Sequence, residues 1–408
     1  VSASIVRLQP YPYRAALAIC SDLDETPDRH VYWDIARWLN TTDDDGPMGP
    51  GAGLEVGNSL YFDMPPDQFA YWNTDDAGRA MARALVASGH VDCFHSFGDL
   101  ALRAHAGRAL DELARHDLRI RVWIDHAVAP TNFGADIMRG SGDVPGAPAY
   151  HADLTCGYGV RFVWRGRVTS VTGQDVRRRL STIVTPGHVA DSSRALLKEA
   201  AKGALARLGS AKYAMHPANE TLRPAILRDG QPVLEFLRAN PSWRGVDQSA
   251  TAAGLAEALT ARFLDNLEAS GGTCVLYTHL GKITDRARPL PDATRDAVRG
   301  LAERARGGRV LVTTTSRLLE YREARAAVGA RVGADGATIE LTPQAHHVLD
   351  GLTFYVSDVA RARVVASGRE LAFVRNPPDH TGRPSVSLPW PRLEFPRAVL
   401  SAAPGGVA

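Results

Sequence analysis

Six short apolar runs punctuate the first three quarters of the chain: Ala15–Cys20, Val91–Phe94, Ile120–Ile124, Val160–Trp164, Thr273–Tyr277 and Val310–Thr314. They read as continuous rather than alternating. A strand covered on both faces gives a continuous run, so these predict buried strands of a parallel sheet. Between many of them lie Ala- and Arg-rich stretches with apolar residues at helical spacing: Asp76–Ser88, Leu100–His116, Ala252–Ala269 and Asp292–Arg306. Strand then helix, repeated, is the pattern of parallel βα units. A barrel and a doubly wound sheet both satisfy it. No GxGxxG follows a strand, which removes the usual dinucleotide signal of the second.

Two inserts interrupt the repeat. Residues 40–63 hold the acidic, Gly-rich stretch TTDDDGPMGPGAG and then LEVGNSLYFD, which predicts a hairpin. Residues 169–213 are Arg-rich, with a helical portion near Ser193–Leu208. Long segments at strand ends commonly shape a substrate site. After about Ala334 the helical pattern ends, and ATIELTP, GLTFYVSD, ARVVASG, LAFVRN and SVSLPW read as short strands between turns. The expectation is an α/β chain: a catalytic β/α unit over residues 1–332 and a small C-terminal β-sandwich over residues 333–408.

Composition then excludes some functions. The 408 residues carry 47 Lys plus Arg against 45 Asp plus Glu, a net charge of +2. A nucleic-acid binder needs a concentrated basic surface, and these arginines are scattered along helical stretches. No run reaches the roughly 18 apolar residues of a membrane span. The start, VSASIVRLQPYPYRAALAIC, lacks the basic, apolar and small-residue sections of a signal peptide. A cytoplasmic location is expected, with secretion as the alternative if a signal peptide is removed before Val1. Cys20, Cys93, Cys156 and Cys274 lie far apart without a CxxC pair and read as small buried thiols.

Candidate chemistry gathers at strand ends. In SDLDET, Asp22 and Asp24 are two apart and face one side of an extended chain. Two such carboxylates repel unless a cation or shared proton intervenes; a helix N-cap at Asp24 or Thr26 is the structural alternative. In GHVDCFHSFGD, His95 follows a strand and Asp99 comes four residues later. If a helix begins there, the two share a face and can share a metal. VLYTHLGK leaves His279 just beyond another strand. VWIDHAVAPTNFG and AYHADL contribute Asp125, His126, Asn132, His151 and Asp153, as substrate-binding or ligand-orienting groups or as hydrogen-bonded loop residues. Parallel β/α barrels carry their chemistry at the C-terminal ends of strands.

These motifs resemble polysaccharide deacetylases of the NodB-homology type, carbohydrate esterase family 4. SDLDET is similar to the separated DxD form of lipopolysaccharide-modifying deformylases in that superfamily. GHVDCFHSFGD follows the spacing of the family's G-H-E-x-G-N-H-[ST]-x-x-H motif, with Asp99 standing where the second histidine would be. The resemblance covers roughly residues 14–321, and the family's motif supplying an Arg and a Pro is not recognisable. It implies a distorted β/α barrel and one divalent metal, zinc ahead of manganese, cobalt or iron, held by Asp24, His95 and Asp99. It further implies Asp22 as general base and His279 as general acid, in hydrolysis of an N-acyl group, most simply acetyl, on a carbohydrate or small glycoside. Tyr61, Phe62, Tyr71 and Trp72 of the first insert and its flank either stack on a sugar or pack the insert.

Two other readings stay open. A metal-independent glycoside hydrolase would pair Asp22 or Asp24 with Asp125 or Asp153, their carboxyl groups roughly 5–9.5 Å apart. A non-catalytic carbohydrate-binding protein would bind through the terminal β-sandwich.

Overall fold

The computed structural model describes residues 5–23, 25–179, 183–184, 189–240 and 251–397, with the side chains of Asp99 and of residues 189–191 left out. The continuous apolar runs assemble into one large, mostly parallel sheet. Its strands are β1 (Ala15–Ser21), β2 (Gly57–Leu60), β3 (Val91–Asp99), β4 (Val122–Ile124), β5 (Phe162–Trp164), β7 (Leu222–Ile226), β8 (Pro232–Phe236), β10 (Thr273–Thr278) and β11 (Val310–Thr313). The order is β10-β1-β2-β3-β4-β5-β8-β7, with β11 also on β1. Every pair is parallel except β7 with β8. β1 is buried at all seven positions, as its unbroken apolar run requires. Its first half pairs with β11 and its last two residues with β2, while β10 runs along its other edge.

Among the described residues no ladder joins β10 to β7, so main-chain hydrogen bonds leave the sheet open. Side chains nevertheless cross from one end to the other. The short strands β6 (Val168–Thr169) and β9 (Arg238–Ala239) pair beside the sheet. Arg238 of β9 lies between Trp164 of β5 and Tyr277 of β10, 3.9 and 4.2 Å from their ring centroids.

Several expected elements form where the pattern places them, including the helices Asp76–Ala87 and Asp292–Arg306. The expected hairpin in LEVGNSLYFD does not: Gly57–Leu60 is a single parallel strand inserted between β1 and β3. The expected helix over Ala252–Ala269 is interrupted. Thr260 caps a new helix, Ala261–Ser270, by accepting from the Phe263 N–H. In the second insert the helix Val189–Arg207 is anchored by buried Glu199, which accepts from Thr169 Oγ1 at 3.2 Å and the Ser170 N–H at 3.1 Å.

Gly329–Val332 opens the C-terminal sheets, four residues before the compositional break predicts. It joins Thr338–Thr342, Arg363–Ala366 and Arg369–Glu370 in one sheet, while Thr353–Tyr355, Val374–Asn376 and Ser385–Ser387 form a second. Ile339, Leu341 and Val364 of the first sheet share a buried cluster with Phe354 and Val386 of the second, and with Tyr321 and Ala324 of the preceding helix, Thr315–Ala327. All four cysteines are free, and three are buried. No described helix is long and apolar enough to cross a membrane.

Candidate functional site

Where β1 and β10 end, their pairing continues. The Asp22 N–H donates to Thr278 O and the Gly281 N–H to Asp22 O, each at 2.9 Å. That extension sets Asp22 beside His279. Asp22 Oδ2 lies 3.4 Å from His279 Nε2 and 3.3 Å from His95 Nδ1, and Ser59 Oγ of β2 donates to Oδ1 at 2.7 Å. Four parallel strands thus deliver a carboxylate, a hydroxyl and two imidazoles to one buried point near their C-terminal ends.

His95 is held by its neighbours on both sides. Tyr61 stacks on its ring at 4.6 Å and 17°, and His126 meets it edge-on at 4.5 Å. The residue after each histidine is in the left-handed region: Ser96 at φ +54° and Ala127 at φ +43°. Side chains adopt that conformation rarely, and such strain clusters at functional sites. Ser96 is fixed by a 2.7 Å hydrogen bond between its hydroxyl and that of Thr131.

Burial works against charge on Asp22, but His95, His279 and the Arg238 guanidinium outweigh it and hold the carboxyl below its ordinary value. Burial pushes His279 down to about 4 and lowers His95, so both imidazoles are neutral at pH 7. Burial also raises the Tyr277 phenol well above its usual value. Tyr277 therefore keeps its proton and donates to His279 Nε2 at 2.5 Å, which places the ring proton on Nδ1. That nitrogen has one lone pair, which the Tyr277 hydroxyl occupies, and Asp22 Oδ2 faces it at 3.4 Å.

The sequence-derived candidates fall into three groups. Asp22, His95 and His279 converge, with His126 against His95. Asp24 and the side chain of Asp99 lie outside the described residues. The spacing argument for Asp99 needs correction, because β3 continues through Asp99 and the next helix begins only at Arg103. Gly98, at φ +74°, bridges to Asp63, and a Cβ there would lie 2.0 Å from Asp63 O.

The remaining candidates hold the fold. Asp125 accepts from Trp123 Nε1 at 2.8 Å and from the Phe133 and Gly134 N–H groups at 2.9 and 2.8 Å, so both oxygens are spent on the loop. Asn132 clips the same loop to the main chain of His126 and Ala127. His151 is wedged between Thr155 Oγ1 at 2.7 Å and Thr131 O at 2.9 Å, and burial lowers it to about 4. Asp153 forms a forked pair with Arg103, at 2.5 and 2.8 Å. Phe62 and Tyr71 are buried and Trp72 lies under Arg108 at 4.0 Å, so these pack the insert and its flank, while buried Tyr61 stacks on His95 and brings its hydroxyl to 3.4 Å from His95 Nε2.

Ser59, Tyr277 and Arg238 were not singled out from the sequence. Tyr277 had a signal, two residues before His279 on the same side of a strand. Arg238 had a weaker one, a lone cation in the apolar run VLEFLRA.

A carboxylate with imidazoles from separate strands is a donor set that divalent ions accept. Asp22 Oδ2 is buried without a hydrogen-bond partner among the described residues, so a cation beside it would compensate its charge. The one compact grouping of three ligand side chains among the described residues is elsewhere, Glu323 with His346 and His347. No family model matches the sequence, and no curated protein matches it.

Proposed function

We propose that this chain is a metal-dependent hydrolase that removes an N-acyl group, acetyl in the simplest case, from an amino sugar or glycan-like substrate. In this reading the open sheet is the wall of a distorted β/α barrel of the polysaccharide-deacetylase type. The observation that supports it is the convergence of Asp22, His95 and His279 from three strands. A divalent ion, zinc first, would be held by His95 with Asp24 and Asp99, and when bound would polarise the substrate carbonyl and acidify a water.

The chain's own residues supply the proton traffic. Asp22 is ionised and the His279 imidazole neutral at pH 7. The pair therefore holds no spare proton, and the one delivered to the departing amine is the one taken from the attacking water. Asp22 accepts it, and His279, 3.4 Å away, passes it on. Tyr277 and Ser59 keep both groups in place. The glycosidase reading loses its second carboxylate, since Asp125 is committed to its loop and Asp153 to Arg103.

The test is metal analysis combined with acid release from a panel of N-acylated sugars. The expected result is about one ion per chain, its loss in Asp24→Ala, and a roughly 10²–10⁴-fold lower rate in Asp22→Asn. Metal-replete protein that releases no acid from any of them overturns the proposal. Chelator-insensitive cleavage of glycosidic bonds would replace it.

A further inference from the structure

At the C-terminal ends of β5 and β9 lies a cavity of about 610 Å³, within the size range of small-molecule sites. Its walls carry Arg167, Arg194, Lys198, Lys202, Lys212 and His216, and among the described residues no aspartate or glutamate lines it. Two of these cations are balanced from behind: Arg167 by Asp136 and Lys202 by Glu199, each at 2.8 Å. Lys198, which is exposed, and Lys212, half-buried, make no ion pair with any described residue, although Lys212 approaches the Tyr213 ring at 5.4 Å and bears electrostatically on Asp136. A concave wall with several cations and no carboxylate concentrates positive potential. Solvated lysines on an open helix face would need no ligand, but these line a hollow together with Ser170, Tyr213 and Asn240.

None of the residues of the Asp22 centre lines the cavity, but two links join them. Asn240 follows Arg238 by two residues, on the same side of an extended chain. Trp164, stacked on Arg238, donates its Nε1–H to the carbonyl of Arg167 at 2.8 Å. Arg238 itself is buried, with Nε and Nη1 lacking an acceptor among the described residues.

We propose that this cavity binds an anionic group, phosphate or carboxylate, carried by the substrate, so that the chain acts on a charged sugar derivative in preference to a neutral glycan. The proposal rests on reading the Asp22 centre as the catalytic site. It is tested by titrating inorganic phosphate, and separately acetate, into the metal-loaded full chain and into its Lys198→Ala/Lys212→Ala double variant. Kinetics with N-acetylglucosamine and its 1-phosphate accompany the titrations. The expected result is saturable binding of one of the two anions, weakened at least tenfold in the double variant while metal content is unchanged. Anion binding that depends on the two lysines supports the cavity even if neither sugar is turned over, an outcome that sinks only the deacetylase reading. Binding that the double variant leaves intact, or equal kcat/KM for the neutral and phosphorylated sugars, overturns the proposal and leaves the hydrolase standing.

Discussion

Arg238 is a guanidinium enclosed by Trp164, Tyr277 and the Cys20 thiol, which its Nη2 reaches at 3.3 Å. Buried charge is costly unless it is compensated, and the compensation here is electrostatic, with ionised Asp22. Arg238→Met keeps the length of the side chain and removes the charge. Asp22 then loses one of the influences that offset its burial, and its pKa rises. If the proposed catalysis needs the ionised carboxylate, it is lost as pH falls through that pKa, so the acid limb of kcat/KM should move to higher pH. Arg238→Lys should not restore it, because an ammonium cannot stack as a plane between two rings. A pH profile decides: loss of stability with an unmoved limb would make Arg238 purely structural. Asp125 illustrates the opposite use of a buried acid. Burial pushes it up to about 7, yet three N–H donors converge on it and favour the anion. Asp125→Ala strands those donors and should cost about 3 kcal/mol or more in a urea titration, at about 1–3 kcal/mol per unsatisfied group.

At the scale of elements, the centre depends on local breaks in extended geometry. Ser96 and Ala127 take positive φ immediately after His95 and His126, the first within β3, which runs on to Asp99, and the second in the turn beyond β4. Ser96→Val places a β-branched residue in the left-handed region and deletes the Thr131 hydrogen bond, and should cost about 2–3 kcal/mol. Ser96→Gly relieves the backbone while losing the same bond, and its unfolding free energy should stay within about 1 kcal/mol of the parent. Equal losses in both variants would show that the hydroxyl, and not the backbone, matters. These turns were not legible in the sequence, since serine and alanine do not announce a positive φ. β2 was missed for a related reason. Gly57-Asn58-Ser59 has the composition of a turn, but each residue has a partner that only the sheet provides. Gly57 gives room to Asp92, Asn58 Nδ2 donates to His90 O at 3.0 Å, and Ser59 holds Asp22. The continuous apolar strands were legible because burial on both faces leaves an unmistakable composition. Asp22 and His279 were legible because they stand directly beyond such runs. Asp125 stands in the same position and does a structural task, so position beyond a strand selects candidates without assigning their roles.

Across the whole molecule, burial has left many histidines neutral. His90, His151 and His279 are each lowered to about 4, and His95 and His216 are lowered as well, burial being the first cause in every case. In the unfolded chain these rings take up protons near pH 6.5, while in the folded protein His90, His151 and His279 do not until about pH 4, and His95 and His216 do so only below the ordinary range. Between those values the unfolded state binds more protons, so stability rises with pH and is lost on acidification. Four acids oppose this. Asp92 is raised by burial to about 6 and Asp125 to about 7, Asp34 and Glu320 are raised as well, and all favour the folded state as pH falls. The lowered histidines outnumber the raised acids, so the net expectation is a urea midpoint that falls steadily from pH 7 to pH 5. Below that, the stability contributed by Glu199, whose carboxyl sits near 2 because His216 and Lys202 outweigh its burial, is withdrawn in the same direction. His90 lies outside the Asp22 centre, its Nδ1 2.9 Å from Ser88 Oγ. His90→Gln should therefore shallow the slope of midpoint against pH between 7 and 5 without touching metal content, whatever it does to the midpoint itself. A midpoint that does not change across that range in the parent protein would mean that the buried imidazoles are charged, and with them the His95 proposed to hold a cation and the His279 proposed to pass a proton.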